Sequence, residues 1–212
     1  MSYVKNDIHP TAKVGERVRM GLGNYVGPYC IINDGVKMGD GNYFESHTVI
    51  GAPPEHKLAW TNFTNKGVVI GNNNRFSSFV TVDGGYFRDT VIHDDCYFLR
   101  GSHVGHCVIV ESGSGIHCNS ILGGVSHIMR GAYLGLGSIL NPKGVIGAYS
   151  LIGSNSLVLE KSVIAPFTKH AGSPCEYLGP NTQKLTTFLN MGQNEEDMAN
   201  LCIKFEELRS KK

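Results

Sequence analysis

A six-residue period constrains this chain more than any other feature in it. From Ile8 an apolar residue recurs at every sixth position, through Val14, Met20, Val26, Ile32, Met38, Phe44 and Ile50. The register resumes at Ile70, Phe76 and Val82. It resumes again at Ile92 and continues through Phe98, Val104, Val110, Ile116, Leu122, Ile128, Leu134, Leu140, Ile146 and Ile152 to Val158. Four residues after these positions the side chain tends to be small, as at Ala12, Cys30, Thr48, Cys96, Ser102, Ser120, Ala132 and Ser156. An amphipathic helix repeats at 3.6 residues and a half-buried strand at 2, so neither produces a sustained six. An ordinary β-sandwich would show alternation with irregular turn spacing.

Six residues make one short strand and one corner, and three such units close a triangular coil. The large apolar side chain fills the interior of the prism, and the small residue fits where interior space is tight. Coils stacked about 4.8 Å apart hydrogen-bond strand to strand, and roughly seven to eight of them predict a prism on the order of 35 Å tall. Hexapeptide periods of this kind are a solenoid signature. The predicted fold is all-β: a left-handed parallel β-helix with two loop excursions and a short C-terminal helical segment.

The expected boundaries are a β-helix domain over 1–165, with loops at 52–67 and 84–90, and an exit loop with a helical segment over 166–212. The repeat is expected to stop after Ser162. There Ala165-Pro166-Phe167 and Ala171-Gly172-Ser173-Pro174 read as a chain leaving strand geometry. Asn194-Glu195-Glu196-Asp197 reads as a helix start with acids in its first turn. Met198, Leu201, Cys202, Phe205 and Leu208 give that helix one apolar stripe.

Composition excludes several function classes. The 27 glycines fit many tight corners, and a formal net charge of +1 leaves no footprint for nucleic acid or an anionic membrane. No apolar stretch is long enough to span a bilayer, and Met1-Ser2-Tyr3-Val4-Lys5 has no signal-peptide core, so a cytoplasmic protein is expected. The six cysteines form no C-x-x-C pair and no zinc spacing, and read as free thiols.

The two interruptions of the register point to a site. If each excursion re-enters the coil on the next face, Ile50, Val82, Val104, Leu122 and Leu140 stack in one column. Two residues after them come Ala52, Gly84, His106, Gly124 and Pro142. Both loops therefore leave from the column that carries His106, with glycines in the coils above and below it. A neutral imidazole near its ordinary pKa is suited to deprotonating a hydroxyl or an amine. The longer loop carries Glu55, His56, Lys57, Trp60 and Phe63. It reads either as a cover for an anionic, nucleotide-like or pantetheine-like ligand or as a packing arm between subunits.

These residues carry a family resemblance over about 8–180. Ile50-Gly51-Ala52-Pro53-Pro54 opening the first loop, Val80-Thr81-Val82 before the second, and His103-Val104-Gly105-His106 one coil later resemble UDP-N-acetylglucosamine O-acyltransferases of lipid A biosynthesis. The resemblance implies a homotrimer with its active site between adjacent prisms, no cofactor, and acyl transfer from an acyl carrier protein or coenzyme A thioester to a nucleotide-sugar acceptor. It also implies His106 as catalytic base, His103 as a substrate contact, Lys57 as the lysine of the first loop, and Asn181 as an asparagine toward the uridine end. Gly124 is expected to offer a backbone N–H to the oxyanion, and His127 and Asn141 to contact substrate. Ser154 falls at the position that sets acyl length, where a serine in place of glycine implies a shorter chain. The sequence departs from the family at Cys107, where an acid usually follows the base. The imidazole is then expected to be oriented by a backbone carbonyl or by Asp83.

Two other classes compete. A γ-carbonic-anhydrase-like metal site needs two histidines separated by four residues, and the nine histidines here contain no such pair, so no metal ligands are assigned. A non-catalytic hexapeptide scaffold would keep the prism without needing an exposed base.

Overall fold

The computed structural model describes residues 5–57 and 66–210. Strands β1 (Asp7–Ile8) to β24 (Val163–Ile164) wind as a left-handed parallel β-helix. Most are two residues long, and every third strand falls on the same side of the prism. One sheet runs from β2 (Lys13–Val14) through β5 (Ile31–Ile32), β8 (Val49–Ala52), β11 (Thr81–Asp83), β14 (His103–Val104), β17 (Ile121–Leu122) and β20 (Ile139–Leu140) to β23 (Leu157–Val158). Every residue of the His106 column is therefore where counting placed it: Ile50 pairs Val82, Val82 pairs Val104, and Leu122 pairs both Val104 and Leu140. Parallel crossovers are normally right-handed because twisted strands impose that hand. Two-residue strands accumulate little twist, and the corners supply the opposite bend.

Most corners bend through one residue in the left-handed backbone region, three positions after the inward apolar residue. Glycine fills many of these corners, as at Gly23, Gly101 and Gly137. Others hold larger side chains, among them Tyr29, Asn73, Cys107, Val125 and Lys143. The interior is filled one side chain per coil on each face. Phe44, Phe76 and Phe98 stack with centroids 4.7 and 4.8 Å apart. Along one edge Asn24, Asn42 and Asn74, all about 1% exposed, form an amide ladder in which each Oδ1 accepts both the backbone N–H and the Nδ2 of the next.

The C-terminal part differs from expectation in three ways. The repeat does not stop after Ser162. Ile164, six residues beyond Val158, is buried in β24, and β25 (Thr168–Gly172) still pairs with β22 (Leu151–Ile152). Pro166 is tolerated because it sits at a corner, where no ladder donor is needed. The segment read as an exit loop instead folds back as β26 (Cys175–Pro180), antiparallel to β25.

Finally, there are two helices rather than one, α1 (Thr182–Asn190) and α2 (Glu195–Ser210). Phe188 and Phe205 bury against Met129, Val145, Ala148 and Tyr149 of the prism. Met198, Leu201 and Leu208 pack beside them, whereas Cys202 points to solvent and is not part of the stripe. No described helix is long and apolar enough to cross a membrane.

Candidate functional site

The two excursions leave the prism after β8 and β11 and are stitched to each other at their bases. Gly84 N–H donates to Ala52 C=O at 2.7 Å, Gly85 N–H to Gly67 C=O at 2.9 Å, and Lys66 N–H to Gly85 C=O at 3.0 Å. Together with the corners that follow β14, β17, β20 and β23 they wall a cleft of about 870 Å³. Its lining is mixed: Glu55, His56, Asp83, His103, Lys143 and Glu160 are polar, and Phe87, Ile121, Leu122 and Val125 are apolar.

His106 lies among these residues. Its ring rests on Gly124 so closely that a Cβ there would fall 2.6 Å from Nε2 and 2.8 Å from Cε1. His56 meets the ring edge-on with centroids 5.5 Å apart, and Tyr86 does so at 6.4 Å. The Nδ1 atoms of His106 and His56 are both buried, and neither has a hydrogen-bond partner among the described residues. A buried polar atom left open in this way calls for an account. Here two such atoms belong to rings that line one cleft.

Asp83 is 3% exposed and pairs with His103 rather than with His106. Its Oδ2 is 3.9 Å from His103 Nε2 and accepts the Glu55 N–H at 3.3 Å. Burial raises the Asp83 carboxyl above its ordinary pKa, against the lowering effect of His103 and the Glu55 N–H. The other nitrogen of His103, Nδ1, shares a hydrogen bond of 2.8 Å with Thr81 Oγ1. Asp83 and Thr81 thus fix His103. The His106 ring is fixed by packing: no carboxylate or carbonyl among the described residues holds its Nδ1.

Cys107, in place of the expected acid, is fully buried beneath the second loop. Burial pushes its thiol up, but the His106 imidazole beside it and backbone groups of Arg88, Phe87 and Tyr86 outweigh this and hold it at about 7. Val125, next to Gly124, has φ +67, a costly conformation for a β-branched residue, and its N–H donates to His106 C=O at 2.9 Å.

The other expected site residues are dispersed. His127 is buried on a different sheet, where its Nε2 meets Glu111 Oε1 at 2.7 Å beneath Lys204 of α2. Asn181 is 5% exposed just before α1, and its Nδ2 donates to Tyr149 C=O. Ser154 follows β22, which belongs to another side of the prism. Asn141 does not line the cleft, although Pro142 and Lys143 do, and Lys57 is exposed outside it while Glu55 and His56 line it. Trp60 and Phe63 lie outside the described residues. His56, Tyr86 and Val125 join the site without having been singled out. Only His56 left a trace, as one of several polar residues in a loop that leaves the right column.

No family model matches the chain. Among curated proteins it is 32% identical to the acyl-[acyl-carrier-protein]–UDP-N-acetylglucosamine O-acyltransferase of Rickettsia canadensis, over 48% of this chain and 46% of that protein. It is 31% identical to the protein of that name from Burkholderia orbicola, over 56% of this chain and 45% of that protein. The matched stretch thus spans about half the length of these relatives. The crystal structure of a UDP-N-acetylglucosamine O-acyltransferase from Moraxella catarrhalis superposes with a TM-score of 0.81 at 22% identity, covering 95% of this chain and 81% of that one. At that identity the superposition speaks for the fold, and the resemblance read from the motifs stands on the curated relatives.

Proposed function

We propose that this chain is an acyltransferase that moves an acyl group from a thioester to a nucleotide-activated sugar, with His106 as general base. The observation that carries this reading is the His106 ring resting on Gly124 in a cleft lined by both polar and apolar side chains. The activity for which the curated relatives are named supports acyl carrier protein as donor and UDP-N-acetylglucosamine as acceptor, the chemistry of lipid A synthesis. An amino sugar as acceptor and coenzyme A as donor are the variants the same site would serve.

The steps follow from the geometry. His106 takes the proton of the acceptor hydroxyl or amine as its oxygen or nitrogen attacks the thioester carbonyl. The Gly124 N–H lines the cleft and makes no hydrogen bond among the described residues. It is the donor we assign to the developing oxyanion. The C–S bond then breaks, and the imidazolium returns the proton to the departing thiolate. The polar lining around His103, held by Asp83 and Thr81, suits the sugar; Phe87 and Ile121, 56% and 41% exposed, suit the acyl chain. A homotrimer belongs to this reading, since the sheet beside the cleft presents Ile31, Ile121 and Ile139 to solvent and a second prism would cover them.

The test is His106→Ala, assayed with acyl carrier protein thioester and UDP-N-acetylglucosamine. Turnover is expected to fall by about 10²–10⁴ or more while oligomeric state and melting temperature hold. Near-wild-type turnover would sink the mechanism. A wild-type protein that transfers nothing, and gains no thermal stability from acyl donors or UDP- and dTDP-sugars, would favour the scaffold.

A further inference from the structure

Cys107 is the left-handed corner residue of its coil, with φ +59. Two and three coils on, the same corner is taken by Lys143 and Lys161, whose side chains are 50% and 59% exposed. The Cys107 side chain is instead covered, and what covers it is the second excursion. All three polar groups of the residue end on residues 86–90. Its N–H donates to Thr90 Oγ1 at 2.8 Å. Its carbonyl accepts Arg88 Nε at 3.3 Å and Nη2 at 3.0 Å. Its Sγ accepts the Tyr86 N–H at 3.2 Å and donates to Arg88 C=O at 3.4 Å. The loop segment held in this way carries the Tyr86 ring, which lies 5.0 Å from His56 and 6.4 Å from His106.

We propose that Cys107 is a positioning residue for the base: it clamps the second excursion so that Tyr86 and His56 wedge the His106 imidazole onto Gly124. This rests on the acyl-transfer reading above and adds to it how the ring is oriented without a carboxylate. The residue type follows from the bonds. The group at this corner must accept an N–H and donate to a carbonyl at once. A thiol or a hydroxyl does both, whereas a carboxylate only accepts and would face the Arg88 carbonyl with a charge. An acid beside the base and this folded-down loop are therefore mutually exclusive arrangements, and the chain has taken the second.

The test uses the full chain with Cys107→Ala, Cys107→Ser, Arg88→Ala and the Cys107→Ala/Arg88→Ala pair. The first readout needs no substrate: nuclear Overhauser contacts from the Tyr86 ring to the ring protons of His56 and His106. These are expected in the wild type and Cys107→Ser, and lost in Cys107→Ala and Arg88→Ala. The second readout is kinetic. Cys107→Ala is expected to lower kcat ten- to a hundredfold with KM changed less than threefold, in line with about 10² for a misplacement near 1 Å. Cys107→Ser should recover most of that loss, and the pair should lose no more than either single variant, because both remove one clamp. If Cys107→Ala will not fold, Arg88→Ala carries the same expectations. Intact Tyr86 contacts in Cys107→Ala or Arg88→Ala, or wild-type kcat in either, would overturn the proposal. Failure of the acyl-transfer reading is seen separately, as activity that survives His106→Ala.

Discussion

Gly124→Ala separates catalysis from stability with a single methyl group. The Gly124 backbone is not in the left-handed region, so alanine meets no conformational penalty there. The new Cβ would sit 2.6, 2.8 and 3.0 Å from Nε2, Cε1 and Cδ2 of His106 and touch nothing else as closely. Ordinary carbon contact begins near 3.4 Å, so the ring must withdraw by roughly 0.8 Å. A displacement of that size at the reacting atom costs on the order of 10²-fold in rate. Overpacking a rigid core costs about 1–3 kcal/mol, but this ring is partly exposed and is backed by His56 and Tyr86 on the two excursions, which can give with it. The expected loss of stability is below about 1 kcal/mol, or about 2–4 °C in Tm for a chain of this size. Gly123→Ala is the control, because its Cβ would lie 2.6 Å from the backbone nitrogen of Pro142, which cannot swing. The assay pairs turnover, followed by mass spectrometry of the acylated sugar nucleotide, with melting temperature. Gly124→Ala should lose turnover and keep its Tm; Gly123→Ala should lose Tm. Wild-type kcat in Gly124→Ala, or equal Tm losses in both, would refute the placement of the base.

Two further predictions concern the scaffold. Asn42→Ala removes the middle rung of the amide ladder, leaving the N–H and Nδ2 of Asn74 without their acceptor and taking from Gly71 C=O one of its two donors. We expect about 2–4 kcal/mol of destabilisation, read from the urea midpoint. Burial raises the Glu111 carboxyl, but His127 and Lys204 outweigh it and hold it at about 2. Its folded pKa is thus depressed below the unfolded value near 4.3, so it stabilises above that value and the contribution fades as pH falls from about 4.3 to 2. Wild type should therefore lose its urea midpoint more steeply than Glu111→Gln between pH 5 and 2.5; parallel slopes would show that the triad does not tie α2 to the prism.

The prism was legible in the sequence because a large apolar side chain points inward once in every six residues and the period is rigid, so counting alone stacked Ile50, Val82, Val104 and Leu122. The place of His106 in that column was legible for the same reason. Its neighbours were not. His56 and Tyr86 reach its ring through two loops that carry no period, and their contact depends on how those loops fold together. Asn181 and His127 show the converse. Residue type and family position suggested substrate contacts, but each meets a partner far along the chain, Tyr149 C=O and Glu111, that removes it from solvent. The end of the repeat was misjudged at Pro166, because a proline that breaks a strand is harmless at a corner, and Ile164 had kept the register.

The reversal at β26 carries a consequence for solubility. A parallel solenoid leaves at each end a rung of unpaired N–H and C=O groups, in the spacing that another copy of the same coil would match, and such an edge templates end-to-end fibre growth. By running back antiparallel along β25, residues Cys175–Pro180 occupy that rung on one side of the prism with a strand of the wrong polarity for a further parallel coil. The hairpin works as a terminator on that side: a further parallel coil finds its place in this sheet already taken.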